Sequence, residues 1–204
     1  MDWMFFIPIV VGLLALWRPV YALSALVVLW PSYLWRTNMF GIPTTVLELS
    51  LYAILAAVMV LLLLRKLHWH WIILPKDTYW LLSAWAVAWL LATFMGDDRA
   101  AALGALKAWW LAPLLFLGLM IICVKSQVER HMVINSAIVS GVVVAAAGLV
   151  QLVGFRDTLQ EGRLSSFFAP VAIYAAMYLG PLLALNVSLM IHGQRTMWRW
   201  IAGS

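Results

Sequence analysis

Residues 44–64 read TTVLELSLYAILAAVMVLLLL, and this stretch decides the fold class. Glu48 is its only charged residue. A helix rises about 1.5 Å per residue, so a run of this length reaches across the roughly 30 Å hydrocarbon core of a bilayer. Inside lipid every backbone N–H and C=O must be paired within the segment, which makes such a run helical. The period-2 alternation of a membrane barrel is absent.

The same reading extends outward in both directions. Met4–Trp17 and Val20–Trp35 precede the central run, and Tyr79–Met95, Ala108–Val124, Met132–Phe155 and Pro170–Ile191 follow it. An eighth apolar run starts at Met197. The predicted fold is therefore all-α: a polytopic transmembrane helix bundle of about seven spans plus the start of an eighth, in a single transmembrane helical domain over residues 1–204. The first two runs are short for crossings, and form either a tight helical hairpin turning at Arg18-Pro19 or one long broken span. Because the chain stops just as an apolar run restarts, it is expected to be part of a longer polypeptide. There is no internal repeat and no low-complexity tract.

Composition agrees with a membrane setting. The 204 residues are 66% hydrophobic and 10% charged, whereas soluble domains are about half apolar and about a quarter charged. The 13 Trp mostly sit near the ends of apolar runs, where amphipathic rings collect at the membrane–water boundary. The net charge of +5 would ordinarily raise nucleic-acid binding. Here Lys and Arg are scattered singly between apolar runs, the pattern of cytoplasmic loops touching anionic lipid, so nucleic acid is not an expected partner. Cys123, the one cysteine, lies in an apolar run and reads as a small helix residue. Residues 4–17 are followed by Arg18-Pro19 rather than by a small-residue cleavage site, so they read as a membrane segment and not as a leader.

Orientation follows from the basic residues of short loops. With the first two runs as a hairpin, one side carries Arg18, Arg65, Lys66, Lys76, Lys125, Arg130, Arg195 and Arg199, which is eight, and the other Arg36, Arg99, Lys107, Arg156 and Arg163, which is five. The eight-residue side is assigned to the cytoplasm. Stretches 36–43, 96–107 and 156–169 then face outward as loops.

Several residues could carry chemistry. Arg156–Pro170, RDTLQEGRLSSFFAP, is a long polar stretch on the outward side. An arginine there can grip two phosphate oxygens with its planar fork, and equally can rest on lipid headgroups, which is the simpler reading from chemistry alone. Thr45-Val46-Leu47-Glu48 has the spacing of a capping box and predicts a helix start after Pro43. A carboxylate near a membrane boundary is also a functional candidate. His68 and His70 are two apart and share no helix face, so no metal site and no cofactor is predicted. Asn135, Gln151 and Asn186 are expected to bond to neighbouring helices, and Gly180-Pro181 to kink the last helix.

Two stretches go further. Arg163-Leu164-Ser165-Ser166-Phe167-Phe168-Ala169-Pro170, followed by Ala176-Met177-Tyr178-Leu179-Gly180-Pro181-Leu182-Leu183-Ala184-Leu185, resembles the O-antigen ligase and polymerase family. Phe40–Glu48 and the Arg18-Pro19 hinge resemble N-terminal regions of the same family, while Val171 stands where that family carries asparagine. The resemblance implies a polytopic enzyme of the bacterial inner membrane. Such an enzyme transfers a glycan from undecaprenyl diphosphate to a lipid A–core or glycan acceptor at the periplasmic face, without metal. It implies that Arg163 binds the diphosphate, with Arg156 on the same loop as second candidate. It also implies that the activating histidine belongs to a later loop, so the 204 residues alone are expected to be inactive. The competing readings are a transporter or flippase for lipid-linked oligosaccharide and a non-catalytic membrane scaffold.

The charge count makes a direct prediction. An impermeant thiol reagent applied from outside should label Ser165→Cys and spare Ser126→Cys. The reverse pattern would sink the orientation.

Overall fold

A computed structural model of the chain describes residues 3–34, 36–39, 42–67, 76–96, 99–154 and 172–192. The element order is α1 (Trp3–Trp17), α2 (Pro19–Val28), a 3-10 turn (Trp30–Leu34), β1 (Arg36–Met39), β2 (Ile42–Thr45), α3 (Val46–Leu63), α4 (Lys76–Met95), α5 (Arg99–Leu106), a π turn (Lys107–Leu111), α6 (Ala112–Cys123), α7 (Gln127–Gly154) and α8 (Ala172–His192).

Local chemistry sets most of the boundaries. Arg18 is extended, with φ −147° and ψ 96°. Pro19 then opens α2 at a first-turn position, where its missing N–H has no intrahelical acceptor. Arg18 and Pro19 thus break the first two apolar runs into two helices, and α1 packs on α2. Thr45 and Glu48 form the capping box that starts α3. A second one starts α7: Glu129 N donates to Ser126 Oγ at 3.2 Å, and Ser126 N donates to Glu129 Oε2 at 2.8 Å. That second box explains why α7 begins five residues ahead of the apolar run at Met132. At its far end α3 closes with Arg65 N donating to Leu62 O and Lys66 N donating to Leu61 O, a Schellman turn that puts Arg65 at φ 55°.

Two expected outward loops are structured. Residues 36–39 and 42–45 pair as antiparallel strands with Arg36 opposite Thr45 and Met39 opposite Ile42, so among the described residues this two-stranded element is the one departure from an all-helical fold. Pairing satisfies backbone groups that a free loop beside the bilayer would leave to water. Most of 96–107 is helical as well, through α5, because the Ala- and Leu-rich RAAALGAL favours helix beyond the apolar run.

Helix α3 is the centre of packing. Its Ile54, Ala57 and Val58 are buried with Ala15 of α1, Leu23 and Leu26 of α2, and Leu119 of α6. Close approach of α1 and α3 depends on small residues, since a Cβ on Gly12 would lie 3.2 Å from Ala53 Cβ. Likewise a Cβ on Gly141 of α7 would meet Leu182 Cδ1 of α8 at 3.0 Å. Helix α4 is peripheral: Thr93 is its one buried residue among those described, and it packs on α5.

The outer surface is apolar. Phe6, Leu13, Trp80, Leu91, Phe94, Val142 and Val153 are all exposed, which a soluble protein does not sustain over such an area. Among the described residues four helices are long and apolar enough to cross a membrane: Val46–Leu63, Lys76–Met95, Ala101–Cys123 and Gln127–Gly154. Phe5–Trp17, Pro19–Val28 and Ala175–Leu189 are shorter apolar helices. This is the construction of a helical membrane protein.

The glycine contacts separate two outcomes. Gly12→Leu should destabilise the protein in mild detergent by about 1–3 kcal/mol through overpacking against Ala53. Gly118→Ala, where an added Cβ meets nothing within 4 Å, should leave thermal unfolding unchanged or slightly raised. Equal responses would refute the α1–α3 contact.

Candidate functional site

Arg156 and Arg163 lie outside the described residues, as do His68 and His70. The two helices that flank the 155–171 segment are described. Helix α7 ends at Gly154 and α8 begins at Ala172. They are joined through a polar node in which Ser140 Oγ lies 2.6 Å from Tyr178 Oη and donates to Val28 O of α2 at 3.1 Å. Three helices are thereby tied at one buried hydroxyl.

The charged centre of the described structure is elsewhere, at the start of α3. Glu48 is nearly buried, and its Oε2 lies 3.0 Å from Lys107 Nζ, with side-chain exposures of 8% for Glu48 and 19% for Lys107. The same oxygen accepts the Thr45 N–H at 3.0 Å, and Lys107 Nζ also donates to Thr44 Oγ1 at 3.4 Å. One carboxylate therefore caps α3, anchors β2 to it, and neutralises a lysine from a helix remote in sequence. Removing two charges from water is costly, and close pairing with additional hydrogen bonds offsets that cost.

The backbone around Lys107 is also unusual. Lys107–Leu111 is a π turn, and Pro113 follows in the first turn of α6. Pro113 has no N–H for Trp109 O, and its ring would collide with that carbonyl in a regular α-helix. Widening the turn relieves the conflict, and such bulges recur at functional positions. In the same turn Trp110 Nε1 is buried without a hydrogen-bond partner among the described residues, while its ring meets Trp85 of α4 edge-on at 6.5 Å.

Sequence reasoning identified Glu48 twice, as a cap and as a functional candidate, and its cap geometry is present. It treated Lys107 as one loop charge among several. The available signal was that Lys107 is the last charge before an apolar run, as Glu48 is the first charge within another. Among the described residues Asn186 bonds within its own helix rather than across to another. Its Nδ2 donates to Leu182 O of its own helix at 2.8 Å, because a side chain four residues after a carbonyl reaches it without leaving the helix surface. Asn135 is exposed. No group of three or more His, Cys, Asp or Glu is gathered among the described residues.

No protein-family model matches the chain, and no curated protein or solved structure is significantly similar to it.

The ion pair gives a stability prediction. Lys107→Ala leaves the Glu48 carboxylate buried without its cation and should cost about 3 kcal/mol. Adding Glu48→Gln to Lys107→Ala should recover part of that loss, since no uncompensated charge is then buried. Purely additive losses in a double-mutant cycle, read by thermal unfolding in detergent, would show that the two side chains are not coupled.

Proposed function

We propose that this chain is the membrane-embedded portion of an O-antigen ligase-like glycosyltransferase, crossing the bacterial inner membrane about seven times. In this reading it presents an undecaprenyl-diphosphate-linked glycan for transfer to a lipid A–core or glycan acceptor at the periplasmic face. The observation that carries the reading is the pattern Arg163–Pro170 and Ala176–Leu185. It leads into an apolar helix that starts at Ala172, two residues after Pro170.

Chain alternation supports it. In a bundle whose helices cross in turn, α3 begins, the α5–α6 rod enters, α7 finishes and α8 begins at one and the same end. The Glu48–Lys107 pair and the 155–171 segment then share the outer end of the bundle. The division of labour is physical. Glu48 and Lys107 hold the hairpin, α3 and the rod as a rigid frame. Arg163, with Arg156 as second candidate, supplies fixed positive charge to the diphosphate. A diphosphate gains negative charge as it leaves the anomeric carbon, so a guanidinium already in place stabilises the transition state more than the ground state. Two parallel N–H donors to phosphate oxygens also fix its orientation.

In cells carrying the whole gene, Arg163→Ala should lower glycan transfer by roughly 100-fold, the scale of losing one preorganised charge donor, with membrane insertion and expression intact. Arg163→Lys should recover little, because a point charge cannot reproduce the two-pronged grip. Near-normal transfer by Arg163→Ala would remove Arg163 from this role.

A further inference from the structure

The end of the bundle where α3 and α6 finish and α2 and α7 begin carries Arg18, Arg65, Lys66, Lys125 and Arg130, all exposed. Among the described residues none of these five side chains makes an ion pair. Glu129, the acid nearest to them in sequence, is committed to the backbone, its Oε2 accepting Lys125 N and Ser126 N at 2.8 Å each. Glu129 still offers Lys125 a nearby negative charge, but among the described residues no carboxylate closes to an ion pair with any of the five.

Arg65 stands out among the five. At φ 55° it occupies the left-handed position that closes α3, where glycine fits without strain. A strained non-glycine residue is an observation from which function can be inferred. Among the described residues nothing in the turn uses the Arg65 side chain, since the turn's hydrogen bonds come from backbone N–H groups. What arginine adds there is an exposed guanidinium carried on the ordered turn that closes α3.

The cations also border apolar surface. Trp17 is 73% exposed, Leu63 79% and Val128 78%, each within two or three residues of one of the five cations. A soluble anion would satisfy the charges and leave these side chains in water. A partner that satisfies both must join an anionic phosphodiester to hydrocarbon. We propose that this rim binds anionic phospholipid headgroups, with Arg65 as the fixed phosphate clamp, Arg18, Lys66, Lys125 and Arg130 as surrounding charge, and Trp17, Leu63 and Val128 against the acyl chains. The proposal rests on the membrane-spanning reading and is independent of the glycan chemistry. Guanidinium forks pair with two phosphate oxygens, Trp settles at the headgroup level, and basic pockets between spans hold anionic lipid.

The test uses the full chain purified in a neutral detergent, then mixed with phosphatidylglycerol or phosphatidylcholine and read by native mass spectrometry for retained lipid. Phosphatidylglycerol should be retained preferentially, and the preference should fall as salt rises. Arg65→Gly relieves the left-handed strain, so it should unfold at an equal or higher temperature than the wild type. Its phosphatidylglycerol affinity should nonetheless fall about five-fold, the effect of one surface cation. Adding Arg18→Gln should lower it further. Equal retention of the two lipids by the wild type, or unchanged phosphatidylglycerol binding by the Arg65→Gly, Arg18→Gln double variant, would overturn the proposal. Failure of the wild type to co-float with vesicles of phosphatidylcholine alone would overturn the membrane-spanning reading, and this surface with it.

Discussion

The structure depends on the requirement that polar groups within an apolar bundle find their partners inside it. Glu48 is where that requirement is most concentrated. Its carboxylate is nearly buried, at a point where a solitary charge would be expelled. Two groups make it tolerable, the Thr45 N–H and the Lys107 ammonium, both on the same oxygen at 3.0 Å. The first is local and starts α3. The second comes from the rod of α5 and α6, and so fixes how that rod meets the central helix. Thr44, touched by the same ammonium, extends the frame to the hairpin. Helix start, hairpin and rod are held by one cluster of charges.

Away from this cluster, packing in lipid lacks the drive that buries apolar surface in water. Leucine gains little by leaving hydrocarbon for a protein interior, so close backbone approach and polar bridges take over. Both are present. Gly12 lets α1 come against Ala53, and Gly141 receives Leu182. Ser140 joins α2, α7 and α8 through Val28 O and Tyr178 Oη. Helix α4 remains outside the core, its Trp80, Leu91 and Phe94 exposed as a lipid-facing helix requires.

The two ends of the bundle have different chemistry. At the end where α3 begins, the buried opposite charges of Glu48 and Lys107 neutralise one another and stiffen the frame. At the other end cations stand exposed and Glu129 is turned inward to its backbone cap. Such asymmetry orients a membrane protein, because the basic end stays on the side of insertion. It also sets what each surface can bind: a diphosphate at the outer end under the proposed function, and bilayer phosphate at the basic end.

By itself the sequence determined what depends on short range and on solvent. Apolar runs gave the helices, since backbone pairing in hydrocarbon has few solutions. Thr45-x-x-Glu48 placed the start of α3, because a capping box closes within four residues. The equivalent Ser126-x-x-Glu129 was equally present in the sequence and was obscured by an apolar run that starts only at Met132. Arg163 and Arg156 were singled out by resemblance, and their placement belongs to a segment outside the described residues. Tertiary structure alone decided which charge answers Glu48. Lys107 is 59 positions away in the chain, and nothing local selects it over Arg36 or Arg99. Partner choice across helices depends on depth in the bundle and on rotation about each helix axis. The π turn ahead of Pro113 changes the helical period from Lys107 onward.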